Sequence, residues 1–295
     1  MRRPRLKKIA APDFDLRLTL DSGQVFHWQA HDNGFVGAIG DAAVYVAQSG
    51  DTLLFSGASA GTIRNYFALD HPLPEICRSF PSDQTMVAAA EFCRGLRIIR
   101  QPKWECLATF ICSSMKQVAH IRQMSLALRK QFGATSLIAG AQVHHFPGAT
   151  ALAGATETEL RRCALGSRAK NLLLTARAVA SGAADLESWS ILADEELQAR
   201  LCELPGVGAK VANCVMLFAY ERLRAFPIDV WIERVLRDNY FARRRKPTAQ
   251  RLKAFCAQYF GEHGGYAQQY LFHHARKTKP RRRLLRPPHS GIVRK

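Results

Sequence analysis

Apolar and polar positions alternate with period two near the start of the chain. Phe14, Leu16, Leu18 and Leu20 are interleaved with Asp15, Arg17 and Thr19, the spacing of a half-buried strand. Short apolar runs follow at Val25–Trp28, Phe35–Ile39, Ala43–Ala47 and Thr52–Phe55. Turn-forming residues separate them: Asp21-Ser22-Gly23, Asp32-Asn33-Gly34, Gly40-Asp41 and Ser49-Gly50-Asp51. The pattern predicts an antiparallel meander of about five strands.

Near residue 62 the period becomes helical. Trp104, Leu107, Ile111, Met115, Val118 and Ile121 recur at three- and four-residue steps and predict one apolar stripe. Further helices are predicted at 157–164, 168–181, 194–202, 209–220, 229–240, 248–260 and 265–277. Pro147, Pro205, Pro227 and Pro247 fall at gaps or in first turns, where a missing N–H is tolerated. Strands precede helices, so the fold class is α+β: an N-terminal antiparallel β-sheet domain followed by a mainly α-helical domain. No internal repeat is visible.

Charge sharpens the picture. The formal net charge is +18, and most of it sits at the two ends. Arg2, Arg3, Arg5, Lys7 and Lys8 meet no acid within residues 1–8, and residues 276–295 carry nine Lys or Arg, again without an acid. The body between is close to neutral. Basic ends of this kind suit a polyanion such as DNA; the cluster Lys279–Arg286 also has the character of a nuclear-import signal. The chain therefore divides into a basic tail (1–9), a β domain (10–95), a helical domain (96–276) and a second basic tail (277–295). No apolar run approaches the roughly 18 residues of a membrane span, and no apolar core follows the basic start, so neither membrane nor secretion is expected. The eight cysteines include no C-x-x-C pair, against zinc-finger or iron–sulfur spacing. The thiols are expected to be reduced and mostly buried, and the protein to be intracellular.

The chemistry concentrates in Leu201-Cys-Glu-Leu-Pro-Gly-Val-Gly-Ala-Lys-Val-Ala-Asn-Cys214. A helix ends near Glu203, Pro205 cannot continue it, and Gly206 and Gly208 permit a tight reversal. A new helix starts near Ala209. Such a turn, with Val207 at its tip, aims unpaired N–H groups outward and suits a phosphate, although an ordinary tight turn uses the same residues. Together with Lys210 and the basic charge, it predicts a helix-hairpin-helix.

Lys210 lies in the first turn of the second helix. The positive end of the helix dipole disfavours its ammonium form, and an uncharged amine is what nucleophilic attack needs. Asp229 follows Pro227-Ile228 and precedes a helix. It is a natural N-cap, and a carboxylate fixed in that way can also stabilise the positive charge of a breaking glycosidic bond.

These segments, with Phe226-Pro-Ile-Asp-Val230, Ser22-Gly-Gln-Val-Phe-His-Trp28, Glu105-Cys-Leu-Ala-Thr-Phe-Ile-Cys-Ser-Ser114 and Ala267-Gln-Gln-Tyr-Leu-Phe272, carry a resemblance. In this order they resemble the eukaryotic-type 8-oxoguanine DNA glycosylases of the helix-hairpin-helix superfamily, from about residue 14 to 275. The resemblance implies a bifunctional glycosylase and AP lyase acting on double-stranded DNA that contains oxidised guanine. It would work as a monomer, in the nucleus of a eukaryote or the nucleoid of a prokaryote. It implies Lys210 as nucleophile and Asp229 as supporting carboxylate. The Gly23 carbonyl would accept the N7–H that 8-oxoguanine has and guanine lacks. Cys214 and Phe272 would sandwich the flipped base, and Gln268 would bond its Watson–Crick edge. No cofactor is implied for catalysis; a structural cation is implied at the hairpin, on the carbonyls of Cys202, Leu204 and Val207.

The chain departs from the family where DNA is interrogated. Met115-Lys116-Gln117 replaces an Asn-rich loop, His120 an arginine, Ser167 a tyrosine and Trp231 a histidine, while Arg168 agrees. Met115, His120, Arg168 and Trp231, with the hairpin residues Gly206, Val207 and Gly208, are the expected DNA contacts. An alkylbase glycosylase of the same fold and a non-catalytic helix-hairpin-helix module are the alternative readings.

Overall fold

The computed structural model describes residues 6–113, 117–241 and 247–278. A five-stranded antiparallel sheet comes first. Its strands are β1 (Lys7–Ala10), β2 (Gln29–His31), β3 (Gly34–Ile39), β4 (Ala42–Ser49) and β5 (Thr52–Ser56), in the order β1-β5-β4-β3-β2. The last four form the expected meander, reversing at the expected Asp-Asn, Gly-Asp and Gly-Asp turns.

The remaining strand is not where alternation put it. Residues 16–21 form the helix α1 (Leu16–Asp21), which the side chain of Asp15 caps by accepting from the Leu18 N–H at 2.7 Å. Leu16, Thr19 and Leu20 are buried, a helical i, i+3, i+4 set that a period-two reading of the leucines conceals. Instead, Lys7 and Lys8, assigned by charge to a tail, pair in β1 with Phe55 and Leu54. Val25–Trp28 is buried but belongs to no strand. It threads between two cores: Val25 and Trp28 pack under the sheet, Phe26 among the helices.

Both faces of the sheet are covered. Val44, Val46, Leu53 and Phe55 pack on α1 and on α2 (Ala60–Tyr66). Val36, Ala38, Tyr45 and Ala47 pack on Val143 of a second, two-stranded sheet, β6 (Thr135–Ile138) and β7 (Ala141–His144). That hairpin was not expected from the pattern. Two short helices, α3 (Leu73–Arg78) and α4 (Gln84–Phe92), lead into the helical core.

The core is built around α5 (Lys103–Ser113), in which every residue from Glu105 to Ser113 is buried. The single stripe expected through Ile121 is therefore two helices, α5 and α6 (Val118–Phe132); Met115 lies outside the described residues. Glu105 is tolerated in the core because Arg129 pairs with it and His27 Nδ1 lies 3.4 Å away. Around α5 stand α7 (Ala149–Ala153), α8 (Glu157–Leu160), a π-helical turn at Arg161–Leu165, α9 (Arg168–Ala180), α10 (Asp194–Cys202) and α11 (Ala209–Ala219). The series ends with α12 (Val230–Tyr240), α13 (Ala249–Tyr259) and α14 (Gly264–Thr278). Among the described residues, no helix is long and apolar enough to cross a membrane.

Candidate active site

The reversal between α10 and α11 is pinned from below. Leu204 and Val207 are buried, and the Val207 N–H donates to the Leu204 carbonyl at 3.1 Å. Thr175 of α9 donates to the Pro205 carbonyl at 3.0 Å. Gly206 has φ +84°, and a β-carbon there would lie 2.8 Å from Asn171 Cβ, so glycine is required on two counts. Gly208 caps α11 with extended backbone and no side-chain bond, and Gly208 and Ala209 are exposed. The first amides of α11 thus face outward, open to an acceptor.

Lys210 is the second residue of α11 and is half-buried. Its Nζ donates to Ser113 Oγ at 3.2 Å and lies 5.3 Å from the centre of the Phe110 ring. Ser113 spends its own hydrogen on the Phe110 carbonyl at 2.7 Å, which leaves a lone pair aimed at the amine. The last turn of the buried helix α5 therefore fixes the lysine. Ser113 was not singled out in the sequence; its only local signal is the Ser-Ser pair at the end of α5.

Asp229 caps α12, its Oδ1 accepting from the Ile232 N–H at 2.9 Å. Burial pushes its carboxyl above the usual range, opposed by the Ile232 amide and by the positive charge of Lys210. Cys214, one turn beyond Lys210, is buried, and burial raises its thiol while Lys210 pulls it down. Lysine, thiol and carboxylate thus act on one another electrostatically.

A second cluster joins the Ser22–Gln24 turn to α14. Gly23 has φ +91°, and a β-carbon there would lie 3.0 Å from Phe272 and 3.3 Å from Arg276 Nη1. The turn is fixed by Gln269, whose Nε2 donates to the Ser22 carbonyl at 3.0 Å, and by buried Gln24, which donates to Ser22 Oγ at 2.9 Å and to the Arg97 carbonyl at 2.8 Å. Gln268 is 4% exposed, and its Oε1 has no hydrogen-bond partner. A buried amide oxygen left open in this way suits a ligand that brings a donor. Phe272 is half-exposed and packs on the helical core that contains Cys214.

The expected DNA contacts are more scattered. His120 is exposed in the first turn of α6. Arg168 opens α9 after a kink at Ala164 and Gly166 and donates to the Leu165 carbonyl at 3.2 Å. Trp231 is half-buried with the Arg234 guanidinium 5.4 Å from its ring centre, beside Val230, which is 71% exposed. No group of three His, Cys, Asp or Glu side chains suited to a metal occurs among the described residues. At the hairpin, the Leu204 carbonyl accepts from the Val207 N–H.

A sheet domain joined to a helix-hairpin-helix core, with a lysine at the hairpin and a capping aspartate beside it, defines a class of enzymes that act on bases in DNA. Residues 7–107 match the family described as 8-oxoguanine DNA glycosylase, N-terminal domain, and residues 108–260 match the HhH-GPD superfamily of base excision DNA repair proteins. The N-glycosylase/DNA lyase OGG1 of Arabidopsis thaliana is 31% identical over 291 residues, covering 90% of this chain and 78% of the relative. The 8-oxoguanine glycosylase/lyase of Clostridium acetobutylicum, solved with double-stranded DNA containing cytosine opposite 8-oxoG, superposes with a TM-score of 0.85 at 28% identity, over 94% of this chain and 99% of that one. The 3-methyladenine DNA glycosylase of Archaeoglobus fulgidus reaches a TM-score of 0.78 at 18% identity over 92% of this chain and 99% of that one, a likeness of fold alone. The chain belongs to the 8-oxoguanine DNA glycosylase/lyase family of the HhH-GPD superfamily.

Proposed function

We propose that this enzyme excises 8-oxoguanine from duplex DNA with Lys210 as nucleophile and Asp229 as electrostatic partner. One observation carries the assignment: Ser113 holds the Lys210 amine at the start of α11, and the charge of that amine acts on Asp229, the cap of α12. The amine attacks C1′ of the flipped nucleotide as the bond to the base breaks, and the bonding pair leaves with the base. Asp229 stabilises the positive charge that develops on the sugar. Loss of the amine proton and ring opening give a Schiff base between Lys210 and C1′. Abstraction of a C2′ proton then expels the 3′ phosphate.

Gly23, Gln268, Cys214 and Phe272 form the base pocket in this reading. The amides of Gly206, Val207 and Gly208 take a DNA phosphate. The carbonyls of Cys202, Leu204 and Val207 hold a structural cation that takes no part in the chemistry. With an arginine of the family replaced by His120 and its asparagine loop by Met115, preference for cytosine opposite the lesion is relaxed. The enzyme acts wherever the cell keeps its DNA.

Borohydride trapping on 8-oxoguanine duplexes, with each of the four bases opposite, tests the reading. Wild-type chain should become covalently linked, and Lys210→Gln should lose both linkage and base release while still binding DNA. Normal base release by Lys210→Gln would remove the nucleophile assignment.

A further inference from the structure

Arg276 lies against the base pocket, and the mechanism above does not use it. It lies one turn beyond Phe272 on α14, its guanidinium carbon 5.6 Å from the Phe272 ring centre. Nη2 donates to the Asp21 carbonyl and lies 3.2 Å from His273 Nδ1. The fork is therefore anchored at one prong. The other prong, Nη1, is the atom 3.3 Å from the place where a side chain on Gly23 would begin.

The charge is only partly answered. Nε of Arg276 is buried without a partner, as is Nε of Arg122 on α6. The nearest carboxylate, Asp21, is paired with Lys277 at 2.6 Å. Burial and the Arg122 charge both lower the affinity of Arg276 for its proton, against the pull of Asp21. A buried guanidinium with an unpartnered Nε is unfavourable in the empty protein, and an incoming acceptor offsets that cost.

We propose that Arg276 donates through Nη1 to the C8 oxygen of the flipped 8-oxoguanine, beside the Gly23 carbonyl that accepts its N7–H. The inference rests on the lesion reading above and deepens it. Oxidation at C8 changes two adjacent positions of the purine: N7 turns from acceptor to donor, and C8 gains an acceptor. A carbonyl and a guanidinium N–H side by side match that edge. Guanine offers a lone pair and a C–H at the same positions. An arginine alone does not reject guanine, because its N–H groups also suit guanine N7 and O6. Coupled to the Gly23 carbonyl, which repels the N7 lone pair, it reads both marks of the lesion.

The test compares affinities of the full chain carrying Lys210→Gln, which binds without turnover, for duplexes containing 8-oxoguanine, 8-thioguanine, guanine or a tetrahydrofuran abasic analogue. The thio base keeps the N7–H and replaces the C8 oxygen by a weaker acceptor. Adding Arg276→Leu should lower 8-oxoguanine affinity on the order of tenfold or more, collapse the preference for 8-oxo over 8-thio, and leave the abasic duplex unchanged. Arg276→Met repeats the comparison if the leucine variant fails to fold. An unchanged 8-oxo/8-thio ratio, or an equal loss on all duplexes, overturns the role. If the chain with Arg276 intact binds 8-oxoguanine no better than guanine, the lesion reading itself fails and the inference falls with it.

Discussion

Replacing Asp229 with asparagine should slow the reaction and strengthen the fold at once. Asparagine caps a helix as well as aspartate does, so the Ile232 N–H keeps its acceptor at 2.9 Å and the capping contribution is unchanged. What disappears is a carboxylate that burial disfavours: its carboxyl is raised above the reference value of 3.8, even with Lys210 nearby. A group raised in the folded state contributes stability when protonated and loses it as pH rises through the folded value. At neutral pH the ionised Asp229 is therefore a net cost to the fold, and Asp229→Asn should raise Tm. Each 1 kcal/mol of stability corresponds to about 1.5 °C in a chain of 295 residues. The gain should vanish as pH falls below the ordinary carboxylate range. Asp229→Ala removes the cap as well, a loss of about 1 kcal/mol that opposes the gain. The rate moves the other way: deleting one preorganised charge at a developing cation should slow single-turnover base release about 100- to 1,000-fold in both variants. Thermal melts between pH 3 and 8 and single-turnover excision provide the measurements. Equal Tm losses for the two variants, or wild-type excision by Asp229→Asn, would refute the reasoning.

Ser113→Ala leaves Lys210 in place but removes the acceptor at 3.2 Å, so single-turnover excision should fall roughly tenfold with abasic-site binding unchanged; an undiminished rate would show that the lysine needs no positioning. Residues 279–295 carry seven Lys or Arg, and their deletion should flatten the dependence of log affinity on log salt by about 0.9 per lost phosphate contact while preserving the preference for 8-oxoguanine over guanine. An unchanged slope would exclude that segment from phosphate contact.

What the sequence discloses depends on how local each determinant is. The hairpin is specified by neighbouring residues, Pro205, Gly206 and Gly208, and its lysine follows at once. The Asp229 cap is equally local. Alternation misled at α1 because Leu16 and Leu20 satisfy both periods, and only the Asp15 cap distinguishes them. Charge misled at β1, which is an edge strand: lysines pointing outward are how such an edge avoids further pairing, and they look like a tail. The β6–β7 hairpin is short and buries little beyond Val143, with Leu137 66% exposed, so it leaves almost no apolar signature. Ser113 and Arg276 were illegible for a different reason. Each acquires its role from a partner far away in the chain, Ser113 from Lys210 and Arg276 from Gly23.

The attachment of the first turn to the last helix has a consequence for how the enzyme comes into being. Gln269 reaches back 247 residues to Ser22, Arg276 reaches back 255 to Asp21, and Tyr270 spans 174 to Leu96. On a ribosome the sheet, the Ser22–Gln24 turn and the hairpin lysine are synthesised well before α14, and Gln268, Phe272 and Arg276 complete the pocket last. A nascent or truncated chain ending before about residue 264 would carry its nucleophile and the Gly23 turn without Gln268, Phe272 and Arg276. Closing so long a loop is also slow compared with forming the local helices. Completion of the base pocket thus waits on contacts that span most of the chain.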